Sequence, residues 1–349
     1  MKSETRRRDT GFRRRHGATG DAGLVMPRSV VYVTGPMLIR TLLLSLALST
    51  IGIAADDTFT DPAAAGVDFE IQGEYSGEKS GAQVIALGGG KFHLVGWGHG
   101  LPGDAADAEK KQEIDGVLQD GAVHFKNDEW DATLKDGDIK GTNKDGQSRT
   151  LKKIERKSPT SGAKPPAGAI VLFDGTGTDA WKGGKIDKEG NLQCGVVSAK
   201  EFGSCTLHVE FRTPFKPAAR GQSRGNSGVY LQDRYEVQVL DSFGLKGENN
   251  ECGGIYTKHK PKVNMCYPPL SWQTYDIDFE AAKWDADGKK LKNAVFTVKH
   301  NGVLIHDHVE VDSSTASAGR KDGPGPGPIQ LQNHNNPVVF RNIWLVEKK

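Results

Sequence analysis

Arg224-Gly-Asn-Ser-Gly-Val-Tyr-Leu-Gln-Asp-Arg-Tyr-Glu-Val-Gln-Val-Leu-Asp241 reads as two β-strands joined by a tight turn. Alternation sends Val229 and Leu231 of the first strand, and Tyr235, Val237 and Val239 of the second, to one face, the expected core. The other face receives Asn226, Gly228 and Tyr230, then Glu236 and Gln238. Gly228 has no side chain and opens space for a ligand. Asp241 lies three residues past Gln238 and would face the core on a regular strand. A one-residue bulge near Val239-Leu240 would swing it back beside Glu236 and Gln238. Two carboxyls flanking an amide on one sheet face equip a site for sugar chemistry. The alternative is a solvated edge of a β-sandwich.

Neighbouring segments repeat the pattern. In 206–212, Leu207, Val209 and Phe211 point to the core, and His208, Glu210 and Arg212 point away. In 271–279, Tyr275, Ile277 and Phe279 point inward, and Trp272, Thr274, Asp276 and Asp278 outward. Ile329 and Leu331 leave Gln330 and Gln332 on the outer face, with His334 following. A merely solvated face would favour Lys, Thr and Ser. Rings that stack on sugar CH faces, with amides and carboxylates that read hydroxyls, fit a saccharide. His306-Asp-His308 spaces two imidazoles at i and i+2, which is half of a metal site at most. No metal ligands are assigned from it.

Around these strands the chain divides into parts. Residues 56–156 carry short alternating segments, Gln83–Leu87, Lys91–Val95, Ala122–Phe125 and Asp131–Leu134, and read as a small β-meander domain. Residues 157–168, rich in Ser, Pro, Gly and Lys, read as a linker. Residues 169–349 form a larger β-domain, in which Asn301-Gly302 marks a hairpin turn. No segment sustains a helical period. The expectation is all-β: an antiparallel β-sandwich or jelly roll preceded by the meander.

Residues 1–55 read as a leader. Met37-Leu-Ile-Arg40 is a short basic start, residues 41–53 are apolar, and Ala54-Ala55 offers small residues for cleavage. Met37 is the expected true start, and the chain is expected to be exported, to the periplasm or beyond. The formal net charge is +2, but the leader holds nine Lys/Arg against three Asp/Glu, so the remainder is net negative. No nucleic-acid partner is implied, and no membrane partner after signal cleavage. The four cysteines lie in the second half and form no CxxC. In an exported chain an even count favours disulfides. The expected bridges are Cys194–Cys205 and Cys252–Cys266, with a zinc site as the alternative.

With those residues in hand, 169–347 resembles the 3-keto-disaccharide hydrolase domain family, a branch of the concanavalin A-like jelly rolls. The resemblance rests on Leu172-Phe-Asp-Gly175 with Trp181, Glu210-Phe-Arg212, Arg224-Gly-Asn-Ser-Gly-Val-Tyr230 and Tyr235-Glu-Val-Gln-Val-Leu-Asp241. It also rests on Asn301-Gly302 with His306, and on Gly327-Pro-Ile-Gln-Leu-Gln332 with His334 and Phe340-Arg-Asn342. It covers about half of the chain and leaves the first domain outside. Laminarinase-like glucanases share the fold, with a nucleophile strand that reads Glu-x-Asp-x-x-Glu. Here the strand reads Glu236-x-Gln238-x-x-Asp241. Gln238 cannot ionise and Asp241 is shorter than Glu, which argues against double displacement on an unmodified glucan.

The resemblance implies another route. A ketone at C3 acidifies the C2 proton, a base removes it, the C1 leaving group departs, and water adds. Such chemistry needs a general base, an acid at the glycosidic oxygen and stabilisation of an enolate. Glu236 or His334 is the expected base and Asp241 the proton donor. Arg224, Asn226 or Gln332 would polarise the carbonyl, and a divalent metal ion is an optional cofactor. Tyr230, Gln238, Trp272, Glu210 and Arg212 complete the expected substrate-binding set. The partners are a glycoside or oligosaccharide substrate and an upstream sugar 3-oxidoreductase, since the chain carries no dinucleotide fingerprint. The competing reading is a non-catalytic, lectin-like carbohydrate-binding module.

Overall fold

Eight consecutive antiparallel strands, from Gly73–Gly77 to Ser148–Ile154, form a meander that closes on itself. The closing pairs include Glu74↔Ile154 and Tyr75↔Lys153. This barrel belongs to a computed structural model that describes residues 57–104 and 107–348. The expected leader, with its signal segment, lies outside the described residues. No described helix is long and apolar enough to cross a membrane. Inward-facing Val84, Phe92, Val123, Phe125 and Leu134 fill the barrel. The strand Asp107–Gln119 had no clear sequence signature: from Gln112 on, Ile114 is its one large apolar side chain that is buried, and Val117 stands exposed.

The second region is a sandwich of two antiparallel sheets. The first sheet runs Trp181–Lys182, Val196–Phe202, Gly327–Leu331, Ser227–Leu231, Tyr235–Val239. The second runs Leu192–Gln193, Val339–Glu347, Cys205–Arg212, Gln273–Glu280, Ala294–His300, Val303–Val311, with Ile170–Phe173 also on Val339–Glu347. Between them lies the core that alternation marked: Leu207, Val209, Phe211, Val229, Leu231, Val237, Ile277, Ile329 and Leu331, all buried. Tyr235 of the first sheet meets Phe279 of the second with ring centroids 5.9 Å apart. Each such side chain contributes about 1.5–3 kcal/mol by leaving water. Asn301-Gly302 makes the expected hairpin turn, with φ of 50° and 79°.

Residues 157–168 lie along the outer face of the second sheet. Ser158 Oγ meets Thr274 Oγ1 at 2.7 Å, and Thr160 Oγ1 donates to Asp276 Oδ2 at 2.8 Å. The Gly162 N–H donates to Glu210 Oε1. The short polar side chains that suggest a linker here satisfy outward-facing groups of the sheet.

All four cysteines are free thiols. The expected Cys194–Cys205 bridge is ruled out by register. Cys205 pairs with Glu347, whereas the Cys194 N–H donates to the Val338 carbonyl. The two thus sit at opposite ends of one strand, roughly 30 Å apart at ~3.3 Å per residue, far beyond disulfide reach. Cys252 and Cys266 are buried side by side as hydrogen-bonded thiols, with Tyr275 OH 3.2 Å from Cys252 Sγ.

Candidate active site

The outer face of the first sheet, at its Tyr235–Val239 edge, floors a cleft of about 460 Å³. Antiparallel register pairs Tyr230 with Glu236 and Gly228 with Gln238, and the Gln332 N–H bonds the Gly228 carbonyl at 2.9 Å. Glu236, Gln238 and Gln332 therefore converge on one patch. Pro214, Pro217, Gly221 and Gly225 keep 213–226 out of the sheet, and this loop brings Lys216, Gln222, Ser223 and Asn226 to the rim. The segment after Gly327–Leu331 adds His334, Asn335 and Asn336. A loop along the open strand edge adds Tyr256, held by its own N–H to the Glu236 carbonyl at 3.1 Å.

Glu236 is buried at 2% exposure, and burial pushes its carboxyl up to about 8 against the opposing pull of Tyr230. Gln332 Nε2 donates to Tyr230 OH at 3.1 Å, and Tyr230 OH donates to Glu236 Oε2 at 2.7 Å. With its amide turned so that each atom meets a complementary partner, Gln238 donates to Glu236 Oε1 at 2.8 Å and to Ser227 O at 2.9 Å. The space that Gly228 leaves is taken by Glu236 rather than by a ligand. A Cβ at residue 228 would stand 2.1 Å from Glu236 Oε1. Across the cleft the buried Lys216 Nζ donates to Asn336 Oδ1 at 3.2 Å, and the Gly225 N–H shares that acceptor.

Of the residues expected from the sequence, Glu236, His334, Asn226, Gln238 and Gln332 line this cleft. Tyr230 lies beneath it, fully buried, and acts on it through Glu236. Asp241 does not line it. The strand ends at Val239 without the bulge, and Asp241 is buried in an ion pair with Arg224, Nε to Oδ2 at 2.7 Å. Arg224 also donates from Nη1 to the carbonyls of Ala86 and Pro217, and it does not line the cleft.

Glu210 and Arg212 belong to a strand of the second sheet and Trp272 directly precedes another, and none of the three lines this cleft. Trp272 stacks under Arg341, 3.9 Å from guanidinium carbon to ring centroid, and Arg212 pairs with Glu189. Glu210 accepts from Arg341 Nε at 2.8 Å and Asn342 Nδ2 at 2.9 Å, and His208 bonds Asp276 at 2.6 Å. Alternation states which residues face away from the core; it does not state which of two outer faces they reach.

His306 and His308 do not meet either. His306 is buried on the Gly253 carbonyl, and burial lowers it to about 4, while His308 stands out at a register shift. Among the described residues no group of three or more His, Cys, Asp and Glu side chains is gathered as for a metal ion. Sequence reasoning missed Lys216, Gln222, Tyr256 and Asn336. All sit in loops without periodicity; a lone lysine between Pro214 and Pro217 was the one available signal.

Comparison with known proteins bears on this cleft. No curated protein matches the chain. A solved structure from Parabacteroides distasonis, provisionally described as a glycosyl hydrolase, is 33% identical over 52% of this chain and 85% of its own, with a TM-score of 0.49. A second protein of that organism with the same description is 17% identical, covering 52% of this chain and 95% of its own, with a TM-score of 0.39. The family model of the 3-keto-alpha-glucoside-1,2-lyase-like domain matches residues 168–346, just over half of the chain and all of the strands that floor the cleft. The chain belongs to this family of carbohydrate-active domains.

Proposed function

We propose that the cleft opens the glycosidic bond of 3-keto-glycosides by elimination and hydration. The observation that carries this reading is that Glu236 is the one carboxyl lining the cleft among the described residues. Double displacement requires two carboxyls about 5–5.5 Å apart, and Asp241 is engaged elsewhere. One base suffices when the substrate's own ketone acidifies the proton to be removed. Glu236, raised to about 8, suits proton transfer near neutral pH.

Glu236 takes the C2 proton, and the electron pair delocalises onto the C3 oxygen. The Lys216 ammonium stabilises the resulting enolate. The enolate collapses, the C1–O bond breaks, and the departing oxygen is protonated by His334 at the rim. Water then adds across the new double bond. Asn226, Gln222, Gln238, Gln332 and Asn336 read the ring hydroxyls. A separate sugar 3-oxidoreductase would supply the substrate, and the leader fits export.

The test is incubation of the purified protein with a 3-keto-glucoside and with the unoxidised glucoside, with and without chelator. Cleavage of the oxidised substrate alone is expected, with the rate rising as pH passes about 8. Glu236→Gln should lower kcat by about 10²–10⁴-fold while sparing affinity. Chelator sensitivity would assign part of the enolate stabilisation to a divalent ion. Binding of both sugars with cleavage of neither would give the lectin-like reading the lead.

A further inference from the structure

The family match begins at residue 168, so the barrel lies outside it. The barrel nevertheless reaches the cleft through the loop 213–226. Phe215 leaves the sandwich and is buried in the apolar cluster of the barrel. Its N–H and carbonyl each bond Phe59 at 2.9 Å. Its ring lies 5.9 Å from that of Phe59 and 5.4 Å from that of Phe69. The next residue is Lys216.

Further along, the barrel turn Leu87-Gly88-Gly89-Gly90 presses on the same loop. A Cβ at Gly88 would stand 3.3 Å from Ala218 N, so the two backbones run close together, at a φ of +89° that favours glycine. Arg220 Nη2 donates to the Leu87 carbonyl at 2.9 Å, and Arg224 Nη1 to that of Ala86 at 3.3 Å. Contacts at Phe215, Ala218, Arg220 and Arg224 thus hold 215–224 against the barrel, and between them the loop presents Lys216, Gln222 and Ser223 to the cleft.

We propose that the barrel is the positioning element of the cleft, with Phe215 and Arg220 as positioning residues for Lys216 and Gln222. Neither Phe215 nor Arg220 lines the cleft; they act through the residues next to them. The kinetic part of the inference rests on the function proposed above, and the structural part does not.

The experiment compares the full chain with Phe215→Ala, Phe215→Leu and Arg220→Gln. It reads amide exchange in 213–226 together with kcat and KM on a 3-keto-glucoside. Phe215→Ala should speed exchange in that segment at least tenfold and lower kcat at least tenfold, a larger effect than the rise in KM that loosening Gln222 brings. Lys216 on this reading acts on the enolate more than on bound substrate. Phe215→Leu, which refills the barrel end, should recover most of both. If Phe215→Ala fails to fold, Arg220→Gln carries the test, because its side chain lies outside the core and loses its bond to Leu87; faster exchange in 213–226 is again expected. Unchanged exchange in both folded variants, or faster exchange with unaltered kcat, would overturn the proposal. If the wild-type protein turns over no keto-sugar, the proposed function fails, and the exchange result alone decides whether the barrel holds the loop.

Discussion

Glu236 shows how one residue can be costly to the fold and useful to the site. Its carboxyl is raised in the folded protein because burial penalises the charge more than Tyr230 relieves it. A raised carboxyl binds its proton more tightly when folded. Its contribution to stability is therefore fully present below the unfolded value near 4.5 and is lost as pH rises through about 8. Glu236→Gln keeps the shape and removes the titration. The variant should match the wild type in melting temperature near pH 4.5 and exceed it by several degrees at pH 8.5, a difference on the order of a few kcal/mol. Equal melting curves at both pH values would contradict the burial assigned to Glu236. Glu236 and Gln238 were legible in the sequence because a period of two needs no tertiary information. Asp241 was misplaced because the strand stops two residues short of it, and nothing in Val239-Leu240 announces that stop.

At the scale of elements, the segment 157–168 and the second sheet form a polar network around the buried His208 and Glu210. Burial alone would lower His208, but hydrogen bonds to Asp276 and Glu210 outweigh it and raise the imidazole. Burial likewise pushes Glu210 up, but His208, Asn342, the Gly162 N–H and Arg341 overcome it and hold the carboxyl at about 2. The signs are opposite. The His208 contribution is present below an unfolded value near 6.5 and fades as pH rises through its raised folded value. The Glu210 contribution is present above about 4.5 and fades as pH falls toward 2. The segment 157–168 should thus be held most firmly between about pH 4.5 and 6.5. Amide exchange in 157–168, corrected for the intrinsic rate, should show greatest protection in that window, and a protection that rises steadily to pH 9 would refute the assignment. Glu210→Ala leaves Arg341, Asn342 and the Gly162 N–H without their acceptor and should cost about 3 kcal/mol, seen as a lower denaturation midpoint. From sequence, Glu210, Arg212 and Trp272 looked like partners of Glu236. The alternation was read correctly, but strand order, which depends on pairings between residues far apart in the chain, decides which outer face each one occupies.

For the molecule as a whole, the all-β architecture was legible throughout, and the apolar halves of the alternating strands are the core of the sandwich. The closure of the meander into a barrel was not, because closure depends on Gly73–Gly77 meeting Ser148–Ile154 across the full length of that region. The thiols carry a prediction at this scale. Cys252 and Cys266 are adjacent and buried, and Cys194 and Cys205 are strand-lengths apart. On exposure to a thiol oxidant and digestion without reductant, the expected linked peptide joins Cys252 to Cys266, while Cys194 and Cys205 are recovered as separate alkylated thiols. A Cys194–Cys205 peptide from folded protein would contradict the register of the second sheet.

The plug of Phe215 into the barrel also bears on separability. The run of Ser, Pro and Gly at 157–168 invites a cut that would yield two tidy fragments. Each half of such a cut would carry the other's missing wall. The sandwich would display Phe215 and Leu270 to water, and the barrel would gape around Phe59 and Phe69. Apolar surface of that kind favours association over solution. A shuffled or truncated gene would therefore have to repaint residues 215 and 270 before either piece behaved as a protein in its own right.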